Sequence, residues 1–318
     1  MKKLIVTGGL GFIGSNLIDL LIQKKFKVIN IDKVTYSSSF YNTKEFKNNK
    51  SYKFIKCDIK DKRIKDLLFL YKPDCIFNLA AETHVDRSID DPENFIQSNI
   101  VGVYNLLENF KIFSQKYNSK LIHISTDEVY GDIKKGMFSL ESDRYFPSSP
   151  YSSSKASADL LLFSYYRTFK LPIIITNCCN NYGPHQYKEK LIPKMIQSLK
   201  KNKNLNLYGN GTNEREWIYV TDHCKALIFL MTKGKIGEQY NIGSGKILNN
   251  KKIINKLKKI YNEMSPNNSI SKIKFIKDRP GHDLRYALNY KKLKKIGWKP
   301  VMKLDEGLKK TISWYKEN

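Results

Sequence analysis

The sequence has few cysteines, a shortage of acidic residues and no long hydrophobic run. Its five cysteines are an odd number, contain no Cys-x-x-Cys pair and place Cys178 next to Cys179, which argues against a disulfide framework or a zinc site. No apolar stretch approaches the length of a membrane-spanning helix, and the N-terminus enters a strand-like segment without the hydrophobic region of a signal peptide. We therefore expect a cytoplasmic protein with reduced thiols, no bound metal and no membrane partner.

Basic residues greatly outnumber acidic ones. Lys and Arg total 56 against 30 Asp and Glu, which gives a formal net charge of +26. The lysines are scattered along the whole chain and alternate with asparagine and isoleucine, whereas a nucleic-acid footprint is expected to cluster on one element. We interpret the charge as solvated surface that helps to attract an anionic substrate, and we expect no nucleic-acid partner.

A glycine-rich turn stands between the first strand-like segment and the first helical one. Gly8, Gly11 and Gly14 follow the apolar segment 3–7 and precede the helical pattern of residues 15–24. Glycines allow the backbone to approach a pyrophosphate, and the start of the helix offers unpaired N–H groups to it. The spacing differs from the G-x-G-x-x-G fingerprint, so the turn by itself is a moderately specific sign of a dinucleotide site.

Acidic residues end the next two strand-like segments. Asp32 lies 18 residues after Gly14, close to the ~20 expected for the carboxylate that binds an adenosine ribose. It would repel a 2′-phosphate and so favours NAD, although Lys33 beside it works against that preference, and a turn-capping role for Asp32 is the alternative. Asp58 ends the segment 54–58, where it either contacts the adenine edge or caps a helix over 61–71.

The chemistry concentrates in one stretch near the middle of the chain. Thr126, Asp127 and Glu128 place a hydroxyl and two carboxylates at the end of a strand-like segment. Tyr151 and Lys155 follow at the start of a helix, and because residues four apart share a helix face, the ammonium is predicted to lower the pKa of the phenol. A buried tyrosine beside an exposed lysine would be the ordinary interpretation of that spacing alone, and the glycine turn upstream favours the acid/base pair instead.

Strand-like and helical segments alternate along the first half of the chain, which predicts βαβ units and a parallel sheet with ligands at the carboxyl ends of its strands. We predict strands at 3–7, 28–32, 54–58, 75–79, 120–125 and 173–176, and helices at 15–24, 61–71, 92–114 and 151–170. The pattern is less regular after residue 176. We therefore expect an α/β fold with a Rossmann-like, doubly wound parallel sheet and a smaller, interleaved C-terminal substrate lobe. The NAD-binding domain would cover 1–178 and the lobe mainly 179–318, with some segments returning to the first domain.

The helix predicted over 151–170 has a second half that is apolar nearly all round, with Leu160 to Phe163 followed by Tyr165 and Tyr166. Such a helix must be covered on both sides. It either forms a homodimer bundle together with the helix over 92–114 or is buried within the monomer. Both arrangements stay open on this pattern, and we expect a homodimer.

Longer motifs give the chain a family resemblance over nearly its whole length. They are Ala80 to Ser88, Ser125 to Gly131, Pro150 to Ala156, Asn180 to Pro184, Glu189 to Pro193, Arg215 to Trp217 and Asp278 to Asp283. With these motifs the chain resembles the extended short-chain dehydrogenase/reductases, and among them the dTDP-glucose 4,6-dehydratases. The Thr-Asp-Glu triplet separates those dehydratases from the sugar epimerases of the superfamily. The sequence departs from the family pattern at Glu216, where Asp is usual, and at Cys179, where serine is common.

The resemblance implies an NAD-dependent lyase that acts on a nucleotide sugar. Its catalytic residues would be Thr126, Asp127, Glu128, Tyr151 and Lys155. The residues that bind NAD would be Gly8, Gly11, Phe12, Ile13, Gly14, Asp32, Lys33, Asp58, Ile59, Ala80, Ala81, Tyr151, Lys155 and Asn181. The residues that bind the nucleotide sugar would be Thr83, Thr126, Asn180, Lys190, Leu191, Tyr208, Arg215, Asn250, Arg279 and His282.

The implied reaction converts dTDP-glucose to dTDP-4-keto-6-deoxyglucose, a step of deoxysugar biosynthesis. Tyr151 would take the proton of the 4-hydroxyl as NAD accepts the C4 hydride, Glu128 would remove the C5 proton, and protonated Asp127 would release the 6-hydroxyl as water before the hydride returns to C6. A 4,6-dehydratase of another nucleotide-glucose and a nucleotide-sugar 4-epimerase are the alternative enzymes. A non-catalytic NAD-sensing module that binds nucleic acid is the alternative from another class, and the intact catalytic set argues against it.

Overall fold

The computed structural model describes residues 2–265 and 269–318. Its strands are β1 (Lys3–Thr7), β2 (Lys27–Asp32), β3 (Tyr52–Lys56), β4 (Cys75–Asn78), β5 (Lys120–Thr126), β6 (Ile173–Cys178), β7 (Asn180–Tyr182), β8 (Leu205–Tyr208), β9 (Glu214–Tyr219), β10 (Gln239–Ile242), β11 (Ile247–Asn249) and β12 (Ile273–Ile276). Its α-helices are α1 (Phe12–Gln23), α2 (Ile64–Tyr71), α3 (Val85–Asp90), α4 (Glu93–Phe95), α5 (Gly102–Ser114), α6 (Pro150–Phe169), α7 (Leu191–Lys200), α8 (Val220–Lys233), α9 (Asn250–Glu263), α10 (Lys291–Lys295) and α11 (Leu304–Glu317).

The central sheet has seven strands in the order β10-β6-β5-β4-β1-β2-β3, and every neighbouring pair is parallel. Its middle strands are buried along nearly their whole length and mostly apolar, because helices cover both faces of the sheet. The chain order reverses at β1, which pairs with β4 on one side and β2 on the other. In open parallel sheets the crevice at the carboxyl ends of the strands beside such a reversal is the usual ligand site.

The two faces of the sheet bury separate hydrophobic cores. Helices α1 and α8 cover one face, where Leu17 and Leu227 join Ile122 of β5 in one cluster. Helices α2, α5 and α6 cover the other face, where Phe110 and Leu162 join Leu121 of β5. Successive residues of a strand point to opposite faces, so the odd-numbered side chains of β5 face α6.

The second lobe is built around a smaller core. Strands β11, β9 and β7 form a three-stranded sheet, and β12 pairs with β8. Helices α7, α9 and α11 pack on these strands through a third cluster that contains Met195, Leu257 and Ile312. The lobe places β7 and the start of α7 beside the carboxyl ends of the central strands.

The predicted fold class is confirmed, and the predicted strands lie within about two residues of the observed ones. Strand β10 joins the central sheet beside β6, and α8 packs against α1 on one face of that sheet. Both segments follow residue 178 in the chain, yet they belong to the central sheet and its helix layers. The division at residue 178 stays a prediction. Within the described residues, no helix is long and apolar enough to cross a membrane.

Three helix predictions were wrong in detail. Helix α1 begins at Phe12 rather than at residue 15. The helix predicted over 92–114 is interrupted by a π-helical segment, Ile96–Val101, between α4 and α5. That wider turn buries Asn99, whose side chain exchanges hydrogen bonds with the backbone of Glu82 and reaches Ser154. Helix α2 begins at Ile64 rather than at residue 61. Hydrophobic periodicity does not register the π-helical segment or the start of α2, since both depend on local hydrogen bonds.

Candidate active site

The glycine turn has the backbone geometry that a phosphate-binding turn requires. Gly8 has φ of 70°, which is a left-handed conformation, and its N–H donates to the Ile31 carbonyl (2.9 Å). A Cβ atom at Gly14 would collide with the Gly8 carbonyl oxygen and the Gly9 Cα atom. Only glycine at these positions lets the first turn of α1 pack this closely against β1.

A cavity of about 270 Å³ opens above this turn at the carboxyl ends of the central strands. Every residue predicted to bind NAD lines it, together with Thr83 and the predicted catalytic residues. The predicted cofactor residues that it brings together are Gly8, Gly11, Phe12, Ile13, Gly14, Asp32, Lys33, Asp58, Ile59, Ala80, Ala81, Tyr151, Lys155 and Asn181. The cavity therefore combines a dinucleotide cradle with the acid/base groups.

Two charged residues at the end of β2 are held by specific contacts. Asp32 accepts from the backbone N–H groups of Leu10 (3.0 Å) and Val34 (2.8 Å), so its carboxylate ties the glycine turn to the loop after β2. Lys33 lies 3.2 Å from Glu82 Oε1 and donates to Ser98 Oγ (2.6 Å). The ammonium of Lys33 is thus already paired, which removes much of its expected opposition to an NAD preference.

Asp58 does not cap α2. Its Oδ1 accepts from the Lys60 N–H (3.1 Å) and closes a turn, while the residue before α2 is Arg63. The capping interpretation of Asp58 was therefore wrong. Its contact with an adenine edge stays a prediction, and its position in the cavity wall suits that role.

The adjacent carboxyl groups follow β5 directly. Thr126 Oγ1 donates to Asp127 Oδ1 (3.2 Å) and accepts from the Glu128 N–H (3.3 Å), so the threonine positions both residues. Burial raises the pKa of Asp127 well above its usual value, and the neighbouring Glu128 adds to this rise. Burial also raises the pKa of Glu128, but three cations oppose it: Arg279, Arg215 and Lys190. Asp127 is consequently suited to be the protonated member of the pair and Glu128 the ionised one.

Tyr151 and Lys155 lie on α6 at the wall of the same cavity. Helix α6 begins with a capping box in which the side chains of Ser149 and Ser152 each accept from the other residue's backbone N–H, so the tyrosine is in the first, firmly held turn. Lys155 Nζ donates to the Ile124 carbonyl (2.8 Å) and lies 3.3 Å from His123 Nε2. The spacing thus brings both side chains to the site, as predicted.

The predicted net lowering of the Tyr151 pKa is not found. Burial raises the pKa of the Tyr151 phenol well above its usual value, and Glu128 adds to the rise. Burial also lowers the pKa of the Lys155 ammonium. The i,i+4 spacing indicates where the two groups lie, but the loss of hydration outweighs their mutual effect in this site.

A second cavity, of about 1160 Å³, adjoins the first. The two share five lining residues: Lys33, Thr35, Glu128, Asn180 and Lys190. The remaining residues predicted to bind the nucleotide sugar line this cavity, apart from Thr83 and Thr126, which line the first. They are Leu191, Tyr208, Arg215, Asn250, Arg279 and His282. Most of the residues predicted to bind the nucleotide sugar therefore lie in the second cavity, and their role in binding stays a prediction.

Cations concentrate in the second cavity. Arg279 pairs with Asp86 (3.1 Å) and leaves its buried Nε without a hydrogen-bond partner among the described residues. Lys190 Nζ donates to the Thr83 carbonyl (2.7 Å), and Arg215 lies 4.3 Å above the Tyr286 ring. A planar, permanently charged guanidinium pairs well with phosphate oxygens, so this wall is suited to a diphosphate.

The sequence analysis did not predict several residues that line the second cavity. Asp86 accepts from the Tyr208 hydroxyl (3.2 Å) as well as pairing with Arg279, and Tyr286 supports Arg215. At the rim, Arg87 covers the Tyr36 ring (3.9 Å) and pairs with Glu189 (2.8 Å). Asp86, Arg87 and Glu189 lie inside quoted motifs, but their partners are distant along the chain, so residue order alone does not reveal the pairs.

Comparison with known proteins places this site in a family. A family model described as GDP-mannose 4,6 dehydratase matches residues 5–311. A dTDP-glucose 4,6-dehydratase of Neisseria meningitidis serogroup B is 43% identical over 335 residues, covering 100% of this chain and 94% of the relative. The chain belongs to the dTDP-glucose 4,6-dehydratase family.

Solved structures agree with membership of the dTDP-glucose 4,6-dehydratase family. The dTDP-glucose 4,6-dehydratase of Bacillus anthracis str. Ames, in complex with NAD, superposes with a TM-score of 0.90 at 39% identity, over 100% of this chain and 97% of that one. A UDP-glucose 4-epimerase of Thermotoga maritima, solved with UDP-glucose, reaches a TM-score of 0.89 at 28% identity over 99% of both chains. The fold is therefore shared with epimerases, so the fold alone does not distinguish the two chemistries.

The two departures from the dTDP-glucose 4,6-dehydratase pattern are both buried. Glu216 accepts from the backbone N–H groups of Ser244 (2.6 Å), Gly245 (2.6 Å) and Leu288 (2.8 Å), so its longer side chain joins β9 to two loops. Cys179 follows β6 in the wall of the first cavity. Glu216 also contributes to the raised pKa of Asp127, which gives it an electrostatic influence on the site.

Proposed function

We propose that this protein converts dTDP-glucose to dTDP-4-keto-6-deoxyglucose with NAD as a bound cofactor, as a step of deoxysugar biosynthesis. One observation carries the proposal: Asp127 and Glu128 share a cavity with Tyr151 and Lys155, and that cavity joins a dinucleotide cradle to a cation-rich pocket. Oxidation alone needs the tyrosine and lysine, whereas elimination needs an additional acid and base.

The residues of the first cavity fit a dinucleotide. Gly8 and Gly14 form a turn in which a side chain at either position would collide with neighbouring backbone atoms. The N-terminus of α1 begins at this turn, and its positive dipole end would stabilise a pyrophosphate. Asp32 would meet the adenosine ribose and disfavour a 2′-phosphate. When bound there, NAD supplies the group that accepts the hydride of C4 and returns it to C6.

The first proton transfer belongs to Tyr151. In its phenolate form Tyr151 takes the proton of the sugar 4-hydroxyl. The Thr126 hydroxyl, which donates to Asp127 Oδ1 in this structure, would turn to the substrate and stabilise the oxygen at C4. The positive charge of Lys155, within the same cavity, favours the phenolate at the moment of transfer. The resulting 4-ketone makes the proton at C5 acidic.

The carboxyl pair carries out the elimination. Glu128 accepts the C5 proton, since Arg279, Arg215 and Lys190 stabilise its ionised form. Asp127 holds a proton because it is buried beside Glu128, and it donates that proton to the departing 6-hydroxyl, which leaves as water. The two adjacent groups thus act as base and acid without changing the total charge of the site.

The nucleotide identity is tested by offering the protein dTDP-, UDP-, GDP- and CDP-glucose separately. The alkaline absorbance of a 4-keto product reports turnover, and we expect the largest kcat/KM with dTDP-glucose. A larger value with another nucleotide would identify a different 4,6-dehydratase. A product that keeps its C6 hydroxyl and is inverted at C4 would identify a 4-epimerase and refute the elimination.

We also propose that the protein is a homodimer that works in the cytoplasm. Helices α5 and α6 pack side by side and expose Tyr104 (50%), Ile112 (38%), Leu160 (59%) and Phe169 (49%), a surface suited to a four-helix interface. The five cysteines are buried free thiols, as suits a reducing compartment.

Light scattering tests the dimer. Leu160→Asp should shift the mass from dimer to monomer, whereas Leu70→Asp, on the exposed face of α2, should not. A wild-type protein that is monomeric at micromolar concentration would contradict the proposal.

A further inference from the structure

Three polar side chains form a row beneath the first cavity, across neighbouring strands of the central sheet. Thr7 of β1 is in register with Asn78 of β4, and Asn78 is in register with His123 of β5. All three side chains are buried. The row begins at the backbone of Ala80 in the cavity wall and ends at His123, whose Nε2 lies 3.3 Å from Lys155 Nζ.

The hydrogen bonds of this row have one direction. The Ala80 N–H donates to Thr7 Oγ1 (3.1 Å), and the Thr7 hydroxyl donates to Asn78 Oδ1 (2.6 Å). A separation of 2.6 Å is typical of O–H···O rather than N–H···O, so the amide oxygen of Asn78 faces Thr7 and its nitrogen faces His123. The Asn78 Nδ2 group then donates to His123 Nδ1 (3.0 Å). The neutral imidazole must therefore carry its proton on Nε2.

The Nε2–H of His123 faces two groups on α6. Asp159 Oδ1 lies 3.6 Å from Nε2, an electrostatic contact longer than a hydrogen bond, and this buried oxygen has no hydrogen-bond partner among the described residues. Lys155 precedes Asp159 by four residues, and its Nζ lies 3.3 Å from Nε2. With a proton on Nε2 the ammonium cannot donate to this nitrogen, so the two groups are neighbouring donors whose contact needs the negative charge of Asp159 beside them. Period-two alternation on β5 and the i,i+4 repeat on α6 thus bring a lysine, a histidine and an aspartate together in a fully buried site.

The other oxygen of Asp159 is surrounded by donors. Oδ2 accepts from Ser125 Oγ (2.6 Å), the Tyr145 hydroxyl (3.1 Å) and Asn177 Nδ2 (3.4 Å). Three donors to one carboxylate oxygen stabilise the ionised form. Burial raises the pKa of Asp159 to about 6, while Lys155 and the three donors act against that rise, so the carboxylate is charged at neutral pH.

Within the described part of the chain, the ionisable groups that face Lys155 come from three elements. They are His123 on β5, Cys178 on β6, and Tyr151 and Asp159 on α6. Burial raises the pKa of the Tyr151 phenol well above its usual value, so Tyr151 carries no charge at rest. Burial lowers the pKa of His123 well below its usual value, and burial raises the pKa of Cys178 to about 12, so these two groups are also neutral. Asp159 is therefore the negative charge that sustains the buried ammonium.

We propose that Asp159 and His123 are positioning residues for Lys155. The row from Ala80 fixes the imidazole with its N–H toward Asp159, and the charge of Asp159 keeps Lys155 protonated below Tyr151. This inference rests on the proposed function for the role that the charge of Lys155 serves, while the histidine tautomer and the ionised aspartate are properties of the protein itself.

The tautomer is tested by ¹⁵N NMR on holoprotein labelled at its histidines. The signals of His123 are those that disappear from the spectrum of His123→Gln. We expect a protonated Nε2 and an unprotonated Nδ1 throughout the range from pH 7 to 9. A proton on Nδ1, or a doubly protonated ring at pH 7, would overturn the inference whether or not the enzyme dehydrates the proposed substrate.

The charge of Lys155 is tested by the pH dependence of kcat for 4-keto product formation. Without the carboxylate the buried ammonium loses its counter-charge, so Asp159→Asn should move the alkaline limb of the profile down by about 1 pH unit or more. Tyr145→Phe is the matched control, because it removes one donor to the same carboxylate and leaves its charge in place. Its alkaline limb should coincide with that of the wild type.

The results separate the two proposals. Equal alkaline limbs for wild type and a folded Asp159→Asn would refute the positioning role while leaving the dehydratase intact. An equal shift in Tyr145→Phe would also refute it, since the shift would then not depend on charge. If wild type forms no 4-keto product, the proposed function fails, and the NMR experiment still decides the His123 tautomer.

Discussion

Replacing Asp127 by Asn should separate the two halves of the proposed reaction. Burial and the neighbouring Glu128 raise the pKa of Asp127 well above its usual value, in line with its proposed role as the neutral member of the pair. Asparagine matches the shape of that neutral carboxyl. The amide oxygen can keep the bond from Thr126 Oγ1 (3.2 Å). The variant therefore loses one transferable proton, at the Oδ2 position, which has no hydrogen-bond partner in the described part of the chain.

The size of the effect follows from that single loss. A positioned general acid contributes ~10²–10⁴ in rate, equivalent to about 3–5 kcal/mol of barrier. Release of the 6-hydroxyl should slow by this factor in Asp127→Asn, while Tyr151 and Lys155 still oxidise C4. Reduced cofactor should then accumulate on the enzyme after substrate is added.

Near-ultraviolet absorbance in a stopped-flow instrument measures the reduced cofactor, and product assays on the same samples measure elimination. Asp305→Asn serves as the control, because Asp305 pairs with Lys256 at an exposed site on α11. The control should turn over like the wild type without accumulating reduced cofactor. Normal turnover by Asp127→Asn would remove this residue from the elimination step, and a variant that never reduces its cofactor would show that Asp127 is needed for oxidation as well.

Three further predictions use other parts of the structure. Turnover of the wild type in D₂O should place deuterium at C5 of the product. Glu128→Gln should still reduce the cofactor but should lose both product formation and exchange at C5. Continued product formation by this variant would exclude Glu128 as the base. Wild type should bind NAD⁺ more tightly than NADP⁺ in calorimetric titrations. Asp32→Asn should reduce this difference in affinity, since the carboxylate repels a 2′-phosphate. Tighter binding of NADP⁺ by the wild type would indicate that Lys33, rather than Asp32, determines the cofactor preference. Burial lowers the pKa of His223 to about 3 from its usual 6.5. Between these two pH values the histidine is protonated in the unfolded chain and neutral in the folded protein. Protonation of His223 in the unfolded chain should therefore lower the free energy of unfolding by about 2 kcal/mol as the pH falls from 7 to 5. Denaturant melts of His223→Gln should show a pH dependence smaller by this amount.

The positions of the site residues could be predicted because they follow from topology. Parallel strands deliver their carboxyl ends to one edge of the sheet, so Gly8, Asp32, Ala80 and Thr126 had to meet once the strands were identified. Strand boundaries were readable from apolar runs that end in small or acidic residues. The π-helical segment at Ile96–Val101 could not be predicted, because it is defined by local backbone hydrogen bonds that the residue pattern does not reveal.

The side-chain pairs between distant segments were beyond sequence reasoning. Asp86 and Arg279 are separated by 193 residues, and their contact depends on how the second lobe lies over α3. The register that aligns Thr7, Asn78 and His123 depends likewise on strand order, since β4 inserts between β1 and β5. Each of these residues is visible in the sequence, but its partner is determined by tertiary packing.

Protonation states were the least predictable feature, and Tyr151 shows why. Spacing on α6 correctly brings Lys155 into the same cavity, yet the phenol and the ammonium are both buried, and burial disfavours the charged form of each. A lysine that helps to ionise a tyrosine must first keep its own charge in that environment. Asp159, one helical turn further along and surrounded by three donors, is the group that can sustain it. The catalytic pair therefore depends on a third residue of the same helix, which the Tyr-x-x-x-Lys spacing does not include.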